Sequence, residues 1–211
     1  MRIKICGITS AADARLAADA GVDAIGINFF PRSPRFISEE LGLSIAQALP
    51  ERIEVMGLVV NESAEQVQAR LRRLSFLHAI QWHGEQPPTP PVANFVPAFQ
   101  VKNADDLARA TDYLRRCEQA GQLPSAILVD GQVAGRYGGT GQAAPWELLA
   151  GFRPGVPLFL AGGLNPDNVA DAIRIVRPDA VDVASGVESA PGKKDADLVR
   201  RFIAAARSAA P

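Results

Sequence analysis

Cys6 closes the run Arg2-Ile3-Lys4-Ile5-Cys6, which alternates as a strand does, and Gly7 follows where a sharp turn is wanted. A thiol at the carboxyl end of a strand lies where parallel α/β proteins bind substrates, although cysteine also serves as a small buried hydrophobe. Asp130 ends a second apolar run, Ile127-Leu128-Val129. That is a costly place for a charge with no task or partner, unless it caps its own loop as an Asx turn. Arg35 lies in Phe29-Phe30-Pro31-Arg32-Ser33-Pro34-Arg35-Phe36. Two prolines stiffen this loop, and a stiffly held guanidinium suits a planar carboxylate gripped by two parallel hydrogen bonds; the plain alternative is a solvated arginine. His83, in Gln81-Trp82-His83-Gly84, reads equally as a donor to substrate and as a packed histidine. The small residues of Gly162-Gly163 and Ser185-Gly186 let backbone N–H groups approach an anion. Either pair alone marks an ordinary turn, but together they imply a phosphorylated ligand.

The elements that must position these groups alternate. Strands are expected at Arg2 to Cys6, Val22 to Phe29, Ile53 to Val60, Ala79 to Trp82, Phe95 to Val101, Ser125 to Asp130, Val156 to Ala161 and Ala180 to Ala184. Between them the periodicity predicts helices at Ser10 to Ala20, Glu39 to Leu49, Ser63 to Leu74, Asn103 to Gln119, Pro145 to Leu149, Asn165 to Val176 and Asp195 to Ala206. The prolines of Glu85-Gln86-Pro87-Pro88-Thr89-Pro90-Pro91 forbid a regular helix after the fourth strand and fit a stiff extended connector instead. Eight strands predict a (β/α)8 barrel, an α/β fold of ~200 residues at its smallest, in one domain over residues 1–211, with a proline-rich connector in place of most or all of the fourth helix. A doubly wound open sheet is the alternative, but no Gly-x-Gly-x-x-Gly follows the first strand. In a barrel the strand ends converge on one mouth, which would gather Cys6, Arg35, His83, Asp130 and both small-residue pairs. Arg136-Tyr137-Gly138-Gly139-Thr140-Gly141 is read as a loop over that mouth.

Composition limits the partners. The chain has 211 residues, 47% of them hydrophobic, and a formal net charge of -1 with its basic residues scattered, so nucleic acid is not expected. No apolar stretch approaches the ~20 residues that span a bilayer, and no secretory signal opens the chain, so a cytoplasmic protein is expected. The contexts of Cys6 and Cys117 differ too much for a disulfide framework; Cys117 is assigned to helix packing, and Arg70, Arg72 and Arg73 to a solvated helix face.

With these residues in place, nearly the whole chain resembles the phosphoribosylanthranilate isomerase family. The resemblance rests on Lys4 to Thr9, Phe29 to Phe36, Gln81 to Gly84, Val129-Asp130, Gly138 to Gly141, Gly162 to Pro166 and Val181 to Glu188, and extends to Pro191-Gly192-Lys193-Lys194-Asp195. It implies an Amadori rearrangement of N-(5-phosphoribosyl)anthranilate to an open-chain 1-deoxyribulose 5-phosphate, without cofactor or metal. In that scheme Asp130 is the general acid and Cys6, as thiolate, the general base. Arg35 holds the anthranilate carboxylate, Gly163, Ser185 and Gly186 with nearby backbone hold the phosphate, and His83, Gly162 and Asp182 complete the substrate-binding set. The scheme asks opposite protonation states of acid and base, so burial should raise the Asp130 pKa, while Lys4, two residues before Cys6 on the same side of its strand, should favour the thiolate.

The chain departs from the family pattern at Gln142-Ala143-Ala144-Pro145-Trp146, at Asn28, where an apolar residue is usual, and in the proline stretch. Two other readings are weighed against the isomerase. The isomerase of histidine biosynthesis resembles this chain less, because an aspartate would replace Cys6 and a second glycine pair should appear near Gly84. A non-catalytic phosphometabolite-binding barrel would bind ligand without turnover. Monomer and homodimer are both left open.

Overall fold

A computed structural model describes residues 1–131 and 146–209. Within them, β1 (Arg2–Cys6), β2 (Ala24–Asn28), β3 (Glu54–Val60), β4 (Ala79–His83), β5 (Phe95–Gln100), β6 (Ile127–Asp130), β7 (Leu158–Ala161) and β8 (Ala180–Val183) pair in parallel in chain order, and β8 closes on β1. The open-sheet alternative is thereby excluded. Seven α-helices accompany them among the described residues: α1 (Ala11–Asp19), α2 (Glu39–Gln47), α3 (Ala64–Arg73), α4 (Ala104–Gln119), α5 (Trp146–Leu149), α6 (Val169–Val176) and α7 (Ala196–Ala209). Ser10, Ser38, Ser63 and Asn103 each accept a first-turn backbone N–H, a cap worth about 1 kcal/mol.

Side-chain alternation sorts the strands into two cores. Ile3, Ile5, Ile80, Trp82, Ile127, Val129, Leu158, Leu160, Val181 and Val183 pack outward beneath the helices. Ala24, Met56, Val96, Ala126, Leu128, Phe159, Ala161 and Ala180 fill the barrel interior, where small residues leave room for larger polar groups above.

The connector from β4 to β5 has no helix, as the prolines require. Val92 is buried in the outer core there, and Tyr113 of α4 donates to the Pro88 carbonyl at 3.1 Å. Two elements differ from expectation. Asn165 to Asn168 form a turn rather than the first turn of α6: Asn168 Oδ1 accepts from Asn165 N at 2.8 Å and its Nδ2 donates to the Gly163 carbonyl at 3.0 Å. After a short 3-10 turn at Ser185–Val187, β9 (Glu188–Ala190) and β10 (Lys193–Lys194) form an antiparallel ribbon that the periodicity did not reveal, because two- and three-residue strands carry too few positions to show a period.

Arg70 also departs from the solvated-face reading. Its side chain is only 16% exposed, pairs with Glu39 of α2 and with Glu62 after β3, and lies 5.0 Å from the centre of the Phe29 ring. It is a staple between elements. Arg72 is exposed as expected, and Cys117 lies wholly in the core.

Candidate active site

At the carboxyl ends of the strands, a cavity of about 150 Å³ is lined by Cys6, His83, Asp130, Gly162, Gly163, Asp182, Ser185 and Gly186, with Leu58, Gln81 and Leu128 among its other walls. Every expected site residue except Arg35 therefore meets in one place. A larger depression of about 830 Å³ lies outside the barrel, between Ser63 at the start of α3 and the proline-rich connector, and contains none of these groups.

The inward-facing residues one step below the mouth are Lys4, Gln81 and Asp182. Lys4 is 1% exposed, and its Nζ donates to Gln81 Oε1 and to Asp182 Oδ2, both at 2.9 Å. With its carbonyl oxygen committed to Lys4, Gln81 turns its amide nitrogen to His83 Nε2 at 2.8 Å. His83 Nε2 must then accept, which places the ring proton on Nδ1. Burial, reinforced by the Lys4 charge, pulls His83 down to about 4, so the imidazole is neutral at neutral pH. His83 is thus a neutral imidazole with its proton on Nδ1. The other oxygen of Asp182, Oδ1, is buried without a hydrogen-bond partner among the described residues, an acceptor left at the cavity wall.

Cys6 is 7% exposed and faces Gly26 of β2, its register partner. A Cβ on Gly26 would lie 2.6 Å from Cys6 Sγ and 3.0 Å from Lys4 Nζ, so this glycine is the space the thiol and the ammonium share. Burial pushes the Cys6 thiol above its ordinary value, and the opposing pull of Lys4 and Lys194 does not overcome it. The expectation that Lys4 favours the thiolate holds in direction, but burial wins. Burial likewise acts against the Lys4 ammonium, yet Asp182 and Cys6 outweigh it and hold that charge above its ordinary pKa. Asp130 stands half-buried at the end of β6.

The loop after β2 is organised by Asn28. Its side chain donates to Ser33 Oγ at 3.0 Å and accepts from Phe30 N at 2.8 Å, and Ser33 Oγ in turn accepts the Arg35 N–H at 3.1 Å. An apolar residue at 28 could do none of this. The loop lays the Arg35 stem across Gly7, where a Cβ would approach Arg35 Cδ to 2.4 Å, and Gly7 is itself at φ +74°. Instead of lining the cavity, Arg35 pairs with Glu188 through Nε at 2.8 Å and Nη2 at 2.5 Å. Those hydrogen bonds hold its guanidinium above its usual pKa. Glu188 and the buried Lys194 were legible only as letters within motifs, because their β9–β10 ribbon has no sequence signature.

Gly162 and Gly163 have φ of +93° and +67°, consecutive left-handed positions that glycine adopts without strain. A Cβ on Gly186 would lie 1.9 Å from the Leu164 carbonyl oxygen, so the loops after β7 and β8 touch where only glycine fits. The segment Gly138 to Gly141 and the residues Gln142 to Pro145 lie outside the described residues.

Residues 3–205 match the family model described as N-(5'phosphoribosyl)anthranilate (PRA) isomerase. An N-(5'-phosphoribosyl)anthranilate isomerase of Myxococcus xanthus is 43% identical over 212 residues, covering 99% of this chain and 97% of the relative. The crystal structure of phosphoribosyl anthranilate isomerase from Thermotoga maritima superimposes with a TM-score of 0.84 at 39% identity, over 99% of both chains. A structure of such an isomerase in complex with reduced 1-(o-carboxyphenylamino)-1-deoxyribulose 5-phosphate matches with a TM-score of 0.80 at 36% identity, again over 99% of both chains.

Proposed function

This chain belongs to the N-(5'-phosphoribosyl)anthranilate isomerase family and catalyses that family's aldose-to-ketose isomerisation in tryptophan biosynthesis, and we propose that Asp130 and Cys6 divide the proton transfers between them. The observation that carries the reading is that a carboxyl group and a thiol from strands β6 and β1 line one cavity, alongside the two glycine-bearing loops.

Asp130, protonated, gives its proton to the furanose ring oxygen as the C1'–O bond breaks, while the nitrogen lone pair forms the C1'=N bond of a Schiff base. Cys6, as thiolate, takes the C2' proton; the C–H electrons form the C1'=C2' bond, and the C=N electrons return to nitrogen. The resulting enolamine tautomerises to the ketone. One turnover leaves Asp130 ionised and Cys6 protonated, so exchange with solvent must restore both. Because burial favours the thiol, only the ionised fraction of Cys6 is competent, and Lys4 enlarges that fraction.

In the same reading, Gly162, Gly163, Ser185 and Gly186 hold the phosphate through loops seven and eight, the usual anion site of this barrel. Asp182 accepts a substrate hydroxyl at its unpartnered Oδ1, and His83 donates through Nδ1. Arg35 takes the anthranilate carboxylate on the guanidinium edge that Glu188 does not use.

Anthranilate-fluorescence decay of freshly generated substrate tests the assignment. Rapid decay in the wild type with a loss of ~100-fold or more in both Cys6→Ala and Asp130→Asn is the expected result. Turnover surviving either substitution would remove that residue from its role, and ligand binding without any turnover in the wild type would favour the non-catalytic barrel.

A further inference from the structure

We infer that Glu188 and Lys194 are positioning residues, a buried carboxylate–ammonium clamp that holds the Nε–Nη2 edge of Arg35 and so presents its Nη1–Nη2 edge to the carboxylate of the substrate's aromatic half. The inference rests on the reading of Arg35 as the carboxylate-binding group.

Three observations lead to it. The first is the order of burial along the chain of contacts: the side chains of Lys194, Glu188 and Arg35 are 0%, 4% and 22% exposed. The second is how Lys194 is fixed. Its Nζ donates to the Cys6 carbonyl at 2.7 Å, to the Ala184 carbonyl at 3.2 Å and to Glu188 Oε1 at 2.8 Å, which uses all three ammonium protons. The clamp is thereby bolted to the end of β1 and to the residue before Ser185. The third is stoichiometric. Glu188 Oε1 also accepts Arg35 Nε and its Oε2 accepts Arg35 Nη2. A guanidinium has two bidentate edges that share Nη2, so one edge is occupied and the other remains for a second carboxylate.

A placeholder role for Glu188, yielding Arg35 to substrate, fits these facts less well. Its departure would leave Lys194 buried against two carbonyls with no counter-charge, which is costly. The two cations outweigh burial and keep Glu188 ionised. The ribbon serves the same end: β9 and β10 turn through Gly192, at φ +80°, and a register shift between Lys193 and Lys194 sets Lys194 opposite Glu188, while Thr9 Oγ1 donates to the Gly192 carbonyl at 2.5 Å.

The test compares two probes, reduced 1-(o-carboxyphenylamino)-1-deoxyribulose 5-phosphate and inorganic phosphate, on the wild type, Glu188→Gln, Arg35→Met and the double variant. Glu188→Gln is expected to weaken the carboxyphenyl probe tenfold or more and to raise KM similarly, with kcat less affected. Phosphate binding should stay within twofold, and the substitution should have no further effect once Arg35 is Met. Tighter binding of the carboxyphenyl probe by Glu188→Gln would show a placeholder and overturn the inference. Equal weakening of both probes would show a merely structural part and overturn it as well. Arg35→Met that leaves the carboxyphenyl probe unaffected would instead sink the underlying reading of Arg35. Should Glu188→Gln not fold, Lys194→Met carries the test: without the ammonium that fixes Glu188, the carboxyphenyl probe must weaken tenfold while phosphate stays within twofold, and equal weakening of both probes would overturn the inference.

Discussion

Lys4 and Asp182 occupy register-matched positions on the first and last strands of the barrel, and their buried ion pair of 2.9 Å sits directly beneath the Cys6 thiol. The pair closes the barrel and also sets the electrostatics of the site. Removing one partner of such a pair strands the other, a cost of roughly 3–5 kcal/mol. Lys4→Met should therefore lower stability by that amount, and Asp182→Asn added to it should recover part of the loss. The Cys6 thiol, already pushed up by burial, should move further up when the cation is lost. Alkylation rate against pH reads this directly: the wild-type midpoint lies above the ordinary thiol value, and the Lys4→Met midpoint lies higher still. Identical midpoints would remove Lys4 from the activation of Cys6.

His83 supplies a pH dependence whose sign can be worked out. Its folded value is depressed to about 4 from 6.5. Between those values the unfolded chain binds a proton that the folded chain refuses, so stability falls as pH falls through that window and the loss levels off below about 4. The full shift corresponds to roughly 3–4 kcal/mol. His83→Gln keeps an acceptor for Gln81 and removes the titration. The urea midpoints of wild type and variant should diverge progressively from pH 7 to pH 4.5, the wild type losing more; parallel curves would place the proton elsewhere.

Much of this site was legible because strand ends in a closed barrel must converge. Cys6, Asp130 and the Gly162-Gly163 and Ser185-Gly186 pairs needed only their positions in the β/α alternation to be brought together. The period of two also placed Lys4 on the side of Cys6. What the sequence did not display is long-range pairing. That Lys4 reaches Gln81, that Glu188 takes an edge of Arg35, and that Arg70 leaves solvent for Glu39 and Phe29 are contacts between residues distant in the chain. No local period encodes them.

Asn28 was visible as a departure from the family pattern, and its hydrogen bonds to Ser33 and Phe30 give the departure a purpose. Asn28→Leu should leave the Phe30 N–H unpaired, at a cost of about 1–3 kcal/mol, and strip Ser33 Oγ of one of its two donors. Because Ser33 Oγ also accepts the Arg35 N–H, the looser loop should raise KM severalfold with a smaller change in kcat. Ser33→Ala should act non-additively with it. A double variant whose KM is the product of the two single effects would show that the residues do not work as one unit.

Arg70 offers a stability prediction that leaves the chemistry alone. Its guanidinium joins Glu39, Glu62 and the Phe29 ring at 16% side-chain exposure, so Arg70→Ala removes two ion pairs, a cation–π contact and the packing of the stem. Together these should cost about 2–4 kcal/mol, whereas Arg72→Ala on the exposed face of α3 should stay within about 0.5 kcal/mol. For a chain of this size each kcal/mol moves Tm by about 2–4 °C, so a calorimetric scan separates the two variants clearly. Turnover measured well below either transition should match the wild type, since α3 lies outside the barrel, away from the cavity of Cys6 and Asp130. Equal Tm values for Arg70→Ala and Arg72→Ala would return Arg70 to the solvated face.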